Sequence, residues 1–154
     1  MIIPALTHLL SPAGKRARLA VLLFHRVLER PDPLLPGEID QARFAQLVGW
    51  MKEQFTLLEA EDACRRLASG TLPARAAIIT FDDGYRDNFQ IALPTLQRLK
   101  APAAFFIATG FLEGGAMFND CVIDAIRRTE CREISLPELR LERVPLTSIS
   151  DRRS

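Results

Sequence analysis

The sequence predicts an α/β fold built on a parallel sheet, and three observations carry that prediction. Three runs, Leu19–His25, Ala76–Phe81 and Ala103–Ala108, are apolar nearly throughout, the pattern of strands buried on both faces. Between them lie segments whose apolar residues recur at helical spacing. Strand and helix alternate along the chain, which favours parallel strands joined by helical crossovers. No internal repeat or low-complexity block interrupts the alternation.

Met1–Leu10 is apolar but short, and Lys15, Arg16 and Arg18 follow it, the reverse of a signal peptide's order. No run approaches the roughly 20 apolar residues of a membrane span. Residues 1–18 read as an N-terminal helix or frayed segment; a shallow membrane contact through this apolar piece and its basic trio is the alternative. Leu19–His25 is the first strand, expected to be central and buried, with His25 at its carboxyl end. Pro31, Pro33, Pro36 and Gly37 make a loop. Asp40 is placed to cap a helix whose stripe is Phe44, Leu47, Val48, Met51 and Phe55. Trp50 lies off that stripe, at a core edge or interface.

Phe55–Leu58 reads as a short strand. Ala60, Ala63, Cys64 and Leu67 mark a second helix, stopped by Gly70, with Cys64 as a small core residue. After the central strand, Arg86–Ile91 is a loop or one helical turn, in which Asp87 and Asn88 read as caps or solvated turn residues. Pro94 suits the first turn of a helix over Leu93–Lys100, and Pro102 follows its end. Ala103–Ala108 is the third long strand. Gly114–Gly115 turns the chain toward a helix capped by Asn119 or Asp120 and ending near Arg128. Residues 129–154, charged and broken by Pro137 and Pro145, read as a loosely attached tail.

The chain's 154 residues suit one domain, divided as 1–18, 19–128 and 129–154. Apolar content of 48% and charged content of 25% are those of an ordinary globular protein. A net charge of +1 supplies no field for nucleic acid or anionic lipid. Cys64, Cys121 and Cys131 have no paired metal spacing and read as free thiols in a reducing, cytoplasmic setting.

The residues with chemistry gather at predicted strand ends, where α/β folds place their sites. Asp82 and Asp83 close the central strand and Gly84 permits a sharp turn. On extended backbone the two carboxylates point to opposite sides. By themselves these residues fit a reactive pair or a plain Asp-Gly turn equally well. His25 ends the neighbouring strand, as a contact to substrate or to a ligating group, or as a merely hydrogen-bonded strand end. Tyr85 either reaches substrate or packs under the loop, and Thr109, with Gly110, lines the end of the third strand.

Thr80-Phe81-Asp82-Asp83-Gly84-Tyr85 resembles the first motif of the polysaccharide deacetylase family, the NodB-homology or carbohydrate esterase family 4 group. Leu93-Pro94-Thr95-Leu96 and Ala103–Gly110 are similar to its next helix and strand, and Leu22–Val27 to the first strand of its His-bearing subgroup. The resemblance runs from about Leu19 to Arg128. It implies a partial (β/α) barrel of the NodB-homology type and a metal-dependent hydrolase that removes acyl groups from an N-acetylated polysaccharide or oligosaccharide. It implies Asp82 as general base, Asp83 as metal ligand, and a divalent metal, zinc above others.

The family's second motif, a His-x-x-x-His pair, is absent, since the only histidines are His8 and His25. One carboxylate is too few ligands for a catalytic zinc, which takes about three from the protein. The sequence therefore reads as the first half of a deacetylase domain, inactive by itself, with open sheet edges that invite self-association. A non-catalytic remnant serving as a carbohydrate-binding or interaction module is the other reading. An aspartyl-nucleophile phosphatase ranks low, because its two carboxylates need a one-residue spacer that Asp82 and Asp83 lack.

Overall fold

The computed structural model describes residues 11–153. The predicted N-terminal helix lies, for residues 1–10, outside the described residues; the rest of that segment contains a 3₁₀ turn, Gly14–Arg16. The chain separates into two compact units. The first takes in the described residues up to Pro31 together with Glu38–Ala108, and the second Asp32–Gly37 with the described residues from Thr109 onward.

The first unit is organised on β5, Ala76–Phe81, all six residues of which are buried. β1 (Ala20–Phe24) pairs with β5 in parallel, in a register running from Ala20↔Ala77 to Phe24↔Phe81. On the other flank β4 (Thr56–Leu57) pairs with Ala76 and Ala77, and β6 (Ala104–Phe105) with Thr80 and Phe81, both in parallel. A second small parallel pair joins β2 (Val27–Leu28) to β3 (Ile39–Asp40). This is the predicted parallel α/β arrangement, and among the described residues the sheet does not close on itself.

Two of the three predicted long strands are corrected. β1 has β5 as its one sheet neighbour among the described residues and is an edge strand, with Val21 and Leu23 exposed. β6 is two residues long, and Phe106 and Ile107 beyond it are exposed. The reason is shared: an apolar run becomes fully buried only where the sheet has neighbours and cover on both faces. β5 has both, and β1 and β6 do not.

The helices of this unit follow their signals. α1 (Gln41–Gln54) begins where the Asp40 carboxylate accepts from the amides of Ala42 and Arg43 at 2.9 and 3.0 Å. It buries Phe44, Val48 and Met51 against the sheet, while Trp50 stays 46% exposed with its ring edge-to-face with Phe55. α2 (Ala60–Ser69) ends at Gly70, whose φ of +67° is the left-handed stop that glycine takes without strain. Only Ala63 of α2 is buried; Cys64 is exposed, not a core residue, because the face reaching the sheet is narrower than its apolar stripe. α3 (Leu93–Leu99) carries Pro94 in its first turn, directly after a π-helical turn, Asn88–Ala92.

The core lies between α1, α3 and one face of the sheet. Leu22, Phe24, Ala77, Ile79 and Phe81 meet Phe44, Val48, Met51 and Leu96 there. Phe81 stacks on Phe105 and Phe24 at centroid distances of 4.8 and 5.4 Å and meets Phe44 edge-on at 5.8 Å. Stacked and edge-to-face rings add directional contacts to the burial of apolar area. Phe81 is the residue immediately before Asp82, so the candidate site stands next to the centre of this aromatic cluster.

The second unit holds α4 (Phe118–Arg128) and an antiparallel hairpin of β7 (Glu133–Leu136) and β8 (Leu141–Pro145), with a register shift between Ile134 and Leu136. The hairpin and the final 3₁₀ turn, Asp151–Arg153, occupy the stretch that the sequence predicted as a tail. α4 starts at Phe118 with Met117 at its N-cap, so Asn119 and Asp120 are first-turn residues and not caps.

Candidate active site

The acid pair leaves the sheet at the carboxyl end of β5, as predicted, but not as two strand residues. The strand ends at Phe81. Asp83 has φ +73° and Gly84 φ +72°, two left-handed residues in succession. The alternation expected of Asp82 and Asp83 is therefore overturned, because it holds only for extended backbone. Asp tolerates this region better than most residues, yet a non-glycine there stores strain that its surroundings must hold.

The hydrogen bonds that hold it come from both flanks. The Asp82 amide donates to the Phe24 carbonyl of β1 at 2.9 Å. Phe106 donates to Phe81 at 2.8 Å and Ala108 to the Asp83 carbonyl at 3.3 Å, both from the chain leaving β6. At Gly84 a Cβ would sit 2.9 Å from Ile107 Cγ2, so this glycine meets both a backbone and a steric demand. Asp82 and Asp83 are half-buried, with room for their carboxylates to reach a ligand.

His25 is the next residue after the last β1–β5 pair, Phe24↔Phe81, so it and Asp82 leave the sheet side by side; His25 is exposed. Tyr85 is half-buried, and the Arg26 guanidinium carbon lies 4.6 Å from its ring centroid. A cation over an aromatic face is attracted by the ring's quadrupole. Thr109 falls in the second unit, exposed on the 3₁₀ turn Thr109–Phe111. The first unit thus brings Asp82, Asp83, His25 and Tyr85 to one sheet end.

The sequence reading missed Asp87 and Asn88. Both are buried, not solvated caps. Asp87 accepts from Arg26 Nε at 2.9 Å and from the Val27 amide at 3.2 Å. Asn88, oriented with its amide nitrogen toward the two acceptors, donates to Asp87 Oδ1 at 3.2 Å and to the His25 carbonyl at 3.1 Å. A polar pair directly after an Asp-Asp-Gly turn was the available signal; that it is buried depends on residues sixty positions upstream. Beside the turn a mostly apolar cavity of about 230 Å³ is lined by Gly84, Tyr85, Phe89, Phe105 and Ile107, among others.

Among the described residues, no three His, Cys, Asp or Glu side chains gather to hold a metal ion. Asp82, Asp83 and His25 supply carboxylate and imidazole chemistry at one edge, short of the roughly three convergent protein ligands of a catalytic zinc. The residues present do not by themselves fit the divalent metal that the motif implies.

Residues 69–134 match the family model described as polysaccharide deacetylase, a span containing the acid turn. That stretch, rather less than half of the chain, is similar to part of a polysaccharide deacetylase domain. Over 97 residues it is 29% identical to poly-beta-1,6-N-acetyl-D-glucosamine N-deacetylase of Staphylococcus aureus, covering 62% of this chain and 32% of that protein. The chain thus spans about a third of the length of the curated relatives it matches. Among solved structures it is similar to IcaB from Ammonifex degensii, with 25% identity, a TM-score of 0.52, and coverage of 76% of this chain and 50% of that one. The Streptococcus pyogenes deacetylase PplD, at 23% identity and TM-score 0.55 over 68% of this chain and 50% of its own, shares the fold. Among the described residues no helix is long and apolar enough to cross a membrane.

Proposed function

We propose that this polypeptide carries the base-bearing half of a metal-dependent deacetylase acting on N-acetyl groups of a sugar polymer, and that it has no turnover alone. The observation that carries this reading is the Asp82-Asp83-Gly84 turn at the end of a fully buried strand, tied by backbone hydrogen bonds to both neighbouring strands. In it Asp82 is the general base. Ionised, it accepts a proton from the water that attacks the amide carbon; as the C–N bond breaks that proton passes to the departing nitrogen, releasing acetate and the sugar amine. Asp83 is one metal ligand, and imidazoles from outside these residues complete the set. Similarity to a poly-N-acetylglucosamine deacetylase supports an N-acetylated glycan as substrate. Three free, exposed cysteines suit a reducing compartment, and the cytoplasm is our reading of the location. The edge of β1, which has no further sheet partner among the described residues and leaves Val21 and Leu23 exposed, suits self-association.

Zinc titration by calorimetry, run beside deacetylation of a chitooligosaccharide, tests the reading. The expected result is neither tight zinc binding nor product. Sub-micromolar zinc binding lost in Asp83→Ala, with turnover lost in Asp82→Asn, would overturn the claim that the chain is inactive alone. The presence of just two histidines favours a second reading, a glycan-binding module without catalysis. Saturable oligosaccharide binding that survives Asp82→Asn, without turnover, would select it.

A further inference from the structure

We propose that Asp87 is a positioning residue, which clamps the exit of β1 to the acid turn so that Asp82, Asp83 and His25 are held in place before any ligand arrives. What it positions rests on the deacetylase reading; the clamp itself stands on geometry. Asp87 is 9% exposed and joins two segments sixty residues apart. Its Oδ2 takes the Arg26 Nε–H and its Oδ1 the Val27 N–H. Asn88 extends the clamp to the His25 carbonyl. Arg26, fixed on one side by Asp87, lies over the ring of Tyr85 on the other. Arg26 and Val27, just past the end of β1, are therefore bound to the segment after the acid turn through one buried carboxylate.

Chemical need follows from strain. Asp83 and Gly84 are consecutive left-handed residues, a conformation that relaxes unless its surroundings over-determine it. The strand hydrogen bonds hold the turn at Asp82 and Asp83, and the Asp87 network holds it from the far side of Tyr85. A charge-assisted hydrogen bond inside a part-buried pair suits this task, because low local dielectric strengthens it.

The chain has a single tyrosine and a single tryptophan, which makes the test direct. Tyr85 reports on the clamp, and Trp50, packed on Phe55, reports on the rest of the fold. NMR of the metal-free, sugar-free chain compares wild type with Asp87→Asn, which keeps the shape and removes the charge. The expected result is displaced Tyr85 ring signals, displaced Asp83 and Gly84 amides, and Val27 amide exchange faster by roughly tenfold. The Trp50 indole and the amides of Ile78–Thr80 stay in place. Unmoved Tyr85 and Asp83–Gly84 signals overturn the proposal, and so does a Trp50 shift of equal size, which marks general loosening. If Asp87→Asn does not fold, Arg26→Lys decides by the same signals, since it keeps the charge but loses the Nε donor. Because neither zinc nor glycan enters, the clamp and the deacetylase reading fail by separate results.

Discussion

The two units of this chain are held by opposite means. The first buries Phe44, Met51, Leu72, Ile79, Phe81, Val27 and Val48 almost completely, around a strand with no exposed residue. In the second, Leu146 is the one fully buried apolar residue among those described, while Phe118, Leu112, Leu139 and Ile149 are exposed. Polar contacts do the holding there. Arg152 donates to the carbonyls of Ile126 at 2.8 Å, Thr129 at 3.3 Å and Leu146 at 3.0 Å, so one guanidinium closes the end of α4 and the start of the last turn. Asp151 accepts from Thr147 and Ser148 at 2.8 Å, and Arg127 pairs with Asp32 at 2.6 Å. Apolar burial is additive and forgiving of detail, whereas a polar clamp depends on a few donors in place. The acid turn belongs to the first kind of region and gains its rigidity from it.

Four changes press on that contrast, in descending order of effect. Phe81→Ala removes the ring at the centre of the aromatic stack, and a loss of about 3–5 kcal/mol is expected in urea unfolding followed by Trp50 fluorescence. A loss under 1 kcal/mol would show that burial is not what holds the first unit. Gly84→Ala puts a Cβ 2.9 Å from Ile107 Cγ2 in a left-handed residue, for a cost of about 1–3 kcal/mol by the same measurement. Arg152→Ala removes the guanidinium that donates to the carbonyls of Ile126, Arg127, Thr129 and Leu146. Faster amide exchange over α4 and the residues after it is expected, with Ile78–Phe81 unchanged, for about 1–2 kcal/mol of local stability. Uniform acceleration across both units would contradict the contrast.

The smallest effect is a pH dependence. The Thr147 hydroxyl and then the Ser148 amide hold the Asp151 carboxyl below its ordinary 3.8. Hydrogen bonds chiefly from Arg66, and also from Arg65, lower Asp62 in the same direction. A carboxyl with a depressed folded value binds fewer protons folded than unfolded, so its contribution is present above about pH 4 and is lost as pH falls through the folded value. Amide signals of residues 147–152 should therefore shift below pH 3.8 while those of β5 hold. Movement beginning near pH 6 would exclude Asp151 as the cause.

Much of this was legible beforehand. Asp40 as a cap, Gly70 as a stop, Pro94 in a first turn and Ala76–Phe81 as a buried strand all depend on neighbours within a few positions, and each stands where the residues predicted it. A turn at Gly84 was legible for the same reason, but the left-handed Asp83 before it was not. Cys64, Val21 and Leu23 were misjudged because apolarity does not say which face of an element finds cover. Asp87 was misjudged because its partners, Arg26 and Val27, lie some sixty positions upstream, between β1 and the start of β2.

Local stereochemistry was therefore settled by the order of the residues: which stretches extend, which coil, and where two acids and a glycine must turn. The fold alone decided that β5 is central and β1 an edge, that Asp83 is left-handed rather than extended, and that a carboxylate four residues past the acid pair is buried against an arginine. Those outcomes depend on contacts between segments far apart in the chain. Propensity is a property of neighbours in sequence, and burial is a property of neighbours in space.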